Sequence, residues 1–186
     1  MTYEALSLTP FLNSIGTTYD SQRREGLLNA WGNSYPAEEL PLGSSVTVGG
    51  IPFQLPKKAQ NHYDVVEPLG QTIELSDHGA VLGVACLCCG EMGEQYLSVR
   101  AVRAQGAPID FTVVAKGFST LPGEDLGPQA FDFTHLHYAG DYDLDLLTCA
   151  LWCFEHRFEE PVRLVRLELG VQPLVRIAGL TLIRSA

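Results

Sequence analysis

The sequence predicts an all-β fold, an antiparallel β-sandwich, and three observations lead to this prediction. The 186 residues include 18 Gly and 11 Pro but only 18% charged residues, whereas helical bundles and coiled coils are rich in Ala, Glu, Lys, Leu and Arg. Eight apolar or β-branched segments, separated by turn signals, occur within about 140 residues. Apolar residues at helical spacing are almost absent.

Each of the eight segments reads as one strand. In chain order they are 44–55, 70–76, 80–88, 94–104, 109–117, 145–157, 162–170 and 174–184. Alternation supports the assignment, because Val162, Leu164 and Leu169 are apolar while charged residues lie largely between the apolar positions. This pattern is typical of a strand with one face in water.

Between the strands we expect little helix. The stretch from Pro36 to Leu40 predicts one or two helical turns, because Pro stands at the first position and acidic residues follow. Segment 117–134 holds two Pro and three Gly and predicts an irregular loop, of a length that in compact domains tends to be functional or to cover another part. No repeat, low-complexity stretch or linker divides the chain, so residues 1–186 are expected to form a single domain.

Charge excludes two classes of partner. Asp and Glu number 22 and Lys and Arg number 12, which leaves a formal net charge of −10, the wrong sign for nucleic acid or an anionic membrane.

The longest apolar run, 80–89, is about half of the roughly 20 residues that span a bilayer and predicts a buried strand. The first residues lack the features of a signal peptide, so we expect a cytoplasmic protein, or a secreted one if a signal was removed.

The cysteines predict core packing instead of disulfides. Their number is five, which is odd, and Cys86, Cys88 and Cys89 fall within one apolar run. Cys149 and Cys153 are four apart on a predicted strand, which puts them on one face but roughly 13 Å apart. We therefore expect buried thiols that act as small apolar side chains.

Five ordered segments carry a resemblance to a known family. They are 11–17 (FLNSIGT), 34–41 (SYPAEELP), 46–53 (VTVGGIPF), 64–75 (DVVEPLGQTIEL) and 165–182, from VRLEL to PLVRIAGLTL. In these segments the chain resembles the galactose-binding-domain-like jelly rolls that occur as accessory modules in bacterial, especially actinobacterial, glycoside hydrolases. The resemblance covers most of the chain. It implies a jelly-roll sandwich, and a role in carbohydrate recognition or as a structural module.

Two histidines suggest a metal site. His135 and His137 are two residues apart, and on a strand this spacing points both imidazoles to one face. A third ligand is expected from His62, His156, Asp64 or Glu155. A metal with an open position here would be zinc, iron or manganese and would activate a water. The competing interpretation is a pair of structural histidines.

An acidic stretch suggests a second kind of metal site. Between Gly117 and Glu155 there are seven acidic residues and no Lys or Arg. Asp141, Asp143 and Asp145 offer hard carboxylate oxygens, which Ca²⁺ prefers. The alternative is a solvated acidic edge that keeps a sheet from pairing with other sheets.

A third set of residues has the composition of a sugar site. Sugar recognition combines an aromatic face with amide or carboxylate partners for hydroxyl groups. Three polar loops contain aromatic, amide and carboxylate side chains. We expect the ligand contacts in them, at Trp31, Asn33, Tyr35, Asp64, Tyr19 and Asp20. Trp152, in an apolar segment, is expected to be buried instead.

The sequence therefore favours a stand-alone sandwich that recognises a carbohydrate or sugar-containing small molecule without transforming it. The first alternative is a small metal-dependent or acid–base enzyme of a biosynthetic pathway that uses His135 and His137. The second alternative is a protein-interaction module that docks through a sheet edge or an apolar patch. The sequence specifies no oligomeric state.

Overall fold

The computed structural model of the protein describes residues 1–58, 63–76, 79–121 and 125–185. In this part of the chain, sixteen strands and two short 3-10 helices form, and the helices are Thr9–Phe11 and Asp20–Glu25. The strands are β1 (Thr2–Leu6), β2 (Thr17–Thr18), β3 (Tyr35–Pro36), β4 (Ser45–Val48), β5 (Ile51–Gln54), β6 (Thr72–Glu74), β7 (Val81–Gly90), β8 (Gln95–Arg103), β9 (Ile109–Ala115), β10 (Ser119–Thr120), β11 (Ala130–Phe133), β12 (Leu136–Tyr138), β13 (Tyr142–Leu144), β14 (Thr148–Val162), β15 (Leu164–Leu169) and β16 (Val175–Arg184).

Two antiparallel sheets face each other. The larger sheet has the order β1-β16-β7-β14-β10, and β11 also pairs with β14. The smaller sheet has the order β6-β15-β8-β9. The predicted all-β fold and β-sandwich are confirmed.

Strand β7 is buried on both faces. Cys86 and Cys88 belong to the apolar core between the two sheets, whereas Ala85 and Leu87 belong to a second core on the other side of the larger sheet. A strand that is covered on both faces has no need of alternating polar residues, which explains the unbroken apolar run from 80 to 89. The prediction of a buried strand there is confirmed.

The second core is covered by short elements. The hairpin β4–β5 places Phe53 in it, and Tyr35 of β3 stacks on Phe133 of β11 at 4.1 Å between ring centroids. Strands β2, β3, β12 and β13 lie on this side of the larger sheet, next to one another in that order. They carry the candidate site.

Local turns differ from the expectations in two places. Segment 44–55 is a hairpin and not a single strand, because Gly49 and Gly50 have φ values of 61° and 78° and reverse the chain. The predicted helical turns after Pro36 are a hydrogen-bonded turn, in which the N–H of Glu39 donates to the carbonyl of Pro36. Both 3-10 helices lie in segments for which no helix was predicted.

The segment 117–134 is more regular than expected. Its ends form β10 and β11, and both pair with β14. Each is at most four residues long and its partner lies far along the chain, so local periodicity does not reveal it. Residues 122–124 lie outside the described part.

No helix among the described residues is long and apolar enough to cross a membrane.

The five thiols are free, and all but Cys153 are fully buried. Burial raises the pKa of Cys89, Cys149 and Cys153 to about 12. These thiols therefore stay protonated near neutral pH and are poor nucleophiles. Their predicted role as small core side chains agrees with these positions.

Candidate metal centre

The four short strands bring the site residues onto one face. In the antiparallel pair β12–β13, His137 lies directly opposite Asp143, and on its other side His137 lies opposite Ser34. Residues directly opposite each other on antiparallel strands share a face of the sheet. His135, two residues before His137, shares it too, with 5.2 Å between the two ring centroids.

The remaining members come from the segment around β2. Thr18 ends β2, and Asp20 begins the 3-10 helix that follows. Asp20, His135 and His137 each offer one ligand atom, and these atoms all lie within 4.8 Å of one another. Among the described residues this is the one group of three His, Cys, Asp or Glu side chains placed to share a metal ion.

The ring of His137 is held through Nδ1. This nitrogen lies 2.8 Å from Oγ1 of Thr18, which lies 2.6 Å from Oγ of Ser34. His137 and Thr18 are completely buried, and Nε2 of His137 has no aligned hydrogen-bond acceptor. We assign the ring hydrogen to Nδ1, because Thr18 is aligned with Nδ1 whereas the carboxylate oxygen of Asp20, 3.2 Å from Nε2, is not aligned with a hydrogen there. Nε2 then carries a lone pair.

His135 is held in the same way. Its Nδ1 lies 2.8 Å from Oγ1 of Thr134 and 3.4 Å from a carboxylate oxygen of Glu39. The Thr134 hydroxyl donates to the same carboxylate. A carboxylate accepts hydrogen bonds only, so the hydrogen again belongs on Nδ1. A histidine that donates through one nitrogen to an acceptor of this kind is the usual arrangement of a metal ligand.

The two Nε2 atoms are therefore left without partners at the same place. Both are buried, and neither makes a hydrogen bond. Oδ1 of Asp20 lies 3.2 Å from Nε2 of His137. In a tetrahedral site with bonds of about 2.0–2.1 Å, neighbouring ligand atoms are about 3.3 Å apart. Asp20 and His137 are thus already at this separation, and all three ligand atoms lie within 4.8 Å of one another.

Arg23 and Asp143 form the border of the site. Nε of Arg23 donates to Oδ1 of Asp143 at 2.7 Å, and Nη2 donates to Oδ2 at 3.1 Å. Nη2 is also 3.3 Å from Oδ1 of Asp20. Oδ1 of Asp143 is 3.9 Å from Nε2 of His137 and 4.0 Å from Nε2 of His135.

Charge and burial keep His137 in the form that a metal needs. Burial lowers the pKa of His137, and the positive charge of Arg23 and the neighbouring His135 lower it further. The hydrogen bond from Arg23 lowers the pKa of Asp143. At neutral pH His137 is therefore uncharged and Asp143 is ionised.

Of the predicted third ligands, those within the described residues do not lie with the two histidines. His156 stacks on Phe111 at 4.3 Å between ring centroids, Glu155 pairs with Arg157, and Asp64 is buried among other partners. His62 lies outside the described residues. The third group is Asp20, which we had predicted as a sugar contact. Sequence spacing does not reveal it, because Asp20 lies more than a hundred residues from the histidines.

The three carboxylates of the predicted calcium site do not act together. Asp143 is paired with Arg23, Asp141 is 3.5 Å from Arg24, and Asp145 is exposed. Two of the three charges are compensated by arginines. The described residues hold no group that joins the three carboxylates around one ion.

The predicted sugar contacts divide by burial. Trp31 is 53% exposed and Tyr19 is also exposed. In contrast, Asn33, Tyr35 and Asp64 are buried, and the side chain of Tyr35 is 1% exposed. Tyr35 donates its hydroxyl hydrogen to the carbonyl of Ala150 at 2.7 Å inside the second core. These three residues are therefore not available to a ligand at the surface.

The residues before Trp31 line a shallow pocket that the sequence did not predict. The pocket has a volume of about 330 Å³ and its lining includes Asn29, Ala30, Glu91 and Arg176. Oδ1 of Asn29 accepts hydrogen bonds from the N–H groups of Trp31 and Asn33, so this loop is braced by its own side chain. A carboxylate oxygen of Glu91 accepts from the N–H of Ala30 at 2.8 Å.

Sequence reasoning also missed the residues that support the histidines. Thr18, Ser34 and Glu39 are ordinary polar residues in short segments, with no spacing that relates them to His135 or His137. Arg23 was missed for the same reason. The pairing of β3 with β12 brings these segments together, and this pairing is long-range.

Comparison with known proteins identifies a family. Curated proteins give no match to the chain. The model of the AziU2-like beta-sandwich domain matches residues 3–116, which is more than half of the chain. The match includes β1 to β9 and the segment with Thr18, Asp20 and Arg23, but it ends before the two histidines. The chain belongs to the AziU2-like β-sandwich domain family.

Proposed function

We propose that this β-sandwich binds a divalent transition-metal ion of the zinc class through His135, His137 and Asp20, and that it uses the ion for chemistry. One observation carries the proposal: two histidines are fixed through Nδ1, while both Nε2 atoms are buried without a hydrogen bond and lie within 4.8 Å of each other and of a carboxylate oxygen of Asp20. A buried polar nitrogen without a partner is costly, and an ion removes that cost for both rings at once.

Three protein ligands are typical of catalytic metal sites. Structural zinc sites are closed by four protein ligands, whereas catalytic sites keep a position for water or substrate. The Asp20 side chain is 66% exposed, so the open position would face solvent. An ion held there lowers the pKa of a bound water or polarises a carbonyl group. We therefore propose a small metal-dependent enzyme, with nitrogen ligands that favour zinc, iron or manganese over calcium.

Calorimetric titration of the metal-free protein tests this proposal. Protein prepared without a histidine tag and stripped of metal is titrated with Zn²⁺, Mn²⁺ and Ca²⁺, and we expect about one Zn²⁺ per chain. His137→Gln and Asp20→Asn should abolish or strongly weaken zinc binding. His156→Gln is the matched control, because His156 stacks on Phe111 away from the site.

The controls separate a site from adventitious binding. Zinc binding that survives both His137→Gln and Asp20→Asn, or that is lost equally in His156→Gln, contradicts the proposal. A wild-type protein that binds no zinc also contradicts it. Because a bound ion stabilises the folded state by mass action, thermal unfolding with and without zinc gives an independent measure.

The second candidate is carbohydrate recognition, as the resemblance to galactose-binding-domain-like modules of glycoside hydrolases implies. It is supported by the exposed indole of Trp31, on a loop that the side chain of Asn29 holds and whose residue Ala30 lines the pocket. An accessible aromatic ring suits the apolar face of a sugar ring.

Thermal unfolding with a panel of sugars tests this candidate, with one variant at Trp31 and one control variant at another exposed residue. The chain has two Trp, Trp31 at the surface and Trp152 buried with its indole N–H bonded to Gly117. A ligand should shift the melting temperature of the wild type and of Glu25→Gln, an exposed control. It should not shift that of Trp31→Ala. A shift that persists in Trp31→Ala would place the ligand elsewhere.

A further inference from the structure

The arginine beside the metal centre holds a carboxylate just outside it. Oδ1 of Asp143 lies at similar distances from both histidines, 3.9 and 4.0 Å from their Nε2 atoms. This oxygen is close enough to share an ion with the two histidines, because the atoms of the proposed ligands themselves lie up to 4.8 Å apart. Its pairing with Arg23, and not its distance, keeps it from the ion. The same oxygen accepts the 2.7 Å hydrogen bond from Nε of Arg23.

The bond from Arg23 has the geometry that holds a carboxylate firmly. Nε and Nη2 of Arg23 bind the two oxygens of Asp143 side by side, and such bidentate pairs are the strong form of this interaction. The arginine side chain is only 18% exposed. It is fixed at its other edge as well, because Nη1 donates to the carbonyl of Asp20. Arg23 therefore contacts one ligand residue and one carboxylate that is almost a ligand.

We propose that Arg23 keeps the metal centre open by withholding Asp143 from the ion. The inference rests on the proposed metal site and concerns its regulation. With Arg23 in place, three protein groups bind the ion and a position remains for an external ligand. Without Arg23, Asp143 is a free carboxylate within about 4 Å of both ligand nitrogens and becomes the fourth protein ligand. The site then closes as a structural zinc site does.

This role has a consequence opposite to that of an ordinary supporting residue. Loss of a group that orients a ligand weakens metal binding, by about 10–100-fold in measured cases. Loss of Arg23 removes a positive charge beside the ion and releases an additional anionic ligand. Both changes favour the cation. We therefore expect Arg23→Gln to bind metal about tenfold more tightly or better, and to lose the open position.

Cobalt(II) and azide report the two effects separately. Co²⁺ replaces zinc in sites of this kind and its visible spectrum responds to the number of ligands, while azide binds only where a position is open. In the wild type, azide should change the Co²⁺ spectrum. In Arg23→Gln, Co²⁺ should bind more tightly and azide should have no effect. Arg24→Gln, which removes the same charge from an exposed neighbour paired with Asp141, should behave as the wild type does.

Removing Asp143 provides the reverse test. In the double variant Arg23→Gln/Asp143→Asn no carboxylate is left to close the site, so the azide response should return. Asp143→Asn alone should keep the azide response. It also tests the proposal if Arg23→Gln fails to fold, which circular dichroism would show.

The contradicting results are distinct. An azide response that persists in folded Arg23→Gln, or weaker Co²⁺ binding by that variant, overturns the role of Arg23. Loss of the azide response in Asp143→Asn alone overturns it too, because Asp143 would then support the open form. Absence of Co²⁺ binding by the wild type overturns the metal site itself, and with it this inference.

Discussion

Thr17 and Thr18 are neighbours on β2, yet they serve two polar centres of different kinds. Successive side chains of a strand point to opposite faces. The Thr17 hydroxyl donates to the buried carboxylate of Asp64, whereas the Thr18 hydroxyl lies at 2.8 Å from Nδ1 of the buried His137. The two side chains of this two-residue strand therefore belong to two different polar centres, one around the carboxylate of Asp64 and one around the imidazole of His137.

The two centres differ in how completely their polar atoms are paired. Asp64 accepts bonds from the N–H of Gly16 at 2.7 Å and the N–H and hydroxyl of Thr17, and the ammonium of Lys58 lies 3.7 Å away. In the other centre, the Nε2 atoms of both histidines have no hydrogen bond. A complete network stabilises the fold, and an incomplete one indicates that something else is bound there. This contrast distinguishes a structural centre around Asp64 from the proposed metal centre around His137.

The largest expected effect is the loss of the structural carboxylate. Asp64→Ala leaves the N–H groups of Gly16 and Thr17 and the charge of Lys58 without a partner. We expect the free energy of unfolding to fall by about 3–5 kcal/mol, as measured when one member of a buried pair is removed. Urea denaturation of the metal-free protein measures it. Asp20→Ala, at an exposed carboxylate, should change it by less than about 0.5 kcal/mol. An equal fall in the free energy of unfolding of both variants would contradict the distinction between the two centres.

A smaller effect distinguishes the two threonines. Thr18→Val keeps the side-chain shape and removes the acceptor of His137 Nδ1, so we expect about 1–3 kcal/mol less stability and zinc binding about 10–100-fold weaker. Thr17→Val removes a bond to Asp64 and should lower stability without changing zinc affinity. Denaturation and calorimetric titration of both variants provide the comparison. A loss of zinc affinity in Thr17→Val as large as that in Thr18→Val would contradict separate roles.

The strands were predictable because their signal is local. Each of the eight predicted segments contains a strand or, at 44–55, a hairpin, since alternation and turn residues lie within the segment itself. Seven strands were missed, and five of them have two or three residues, too few for any periodicity: β2, β3, β10, β12 and β13. The other two are β11, with four residues, and β1, with five. Apart from β13, whose partner is the adjacent β12, they exist because distant segments pair, and such pairing leaves no local pattern.

The site was predictable only in part for the same reason. The two-residue spacing of His135 and His137 predicts that they share a face, and their rings do lie together. Asp20 and Asp143 were both identified as candidates, but for a sugar and for calcium respectively. Asp64 shows the other limit, because a polar residue in a polar loop gives no sign that its carboxylate is buried.

The smallest expected effect is the pH dependence of the metal-free protein, and its sign follows from the buried histidines. Burial lowers the pKa of His137 below its ordinary value of 6.5, and burial lowers the pKa of His156 as well. The unfolded chain therefore binds protons at a higher pH than the folded protein does. The stability contributed by the neutral rings is fully present above about pH 6.5 and is lost as the pH falls below it.

This dependence also separates the metal centre from a histidine that only packs. In metal-free protein, urea denaturation between neutral and mildly acidic pH should show a slope to which His137 and His156 both contribute. His137→Gln and His156→Gln should each remove part of it. With zinc, protons compete with the ion for His137, so the slope should steepen in the wild type and in His156→Gln. In His137→Gln it should not. A zinc-dependent slope that persists in His137→Gln would assign the coupled proton to another group, and His137 would then be a core histidine like His156.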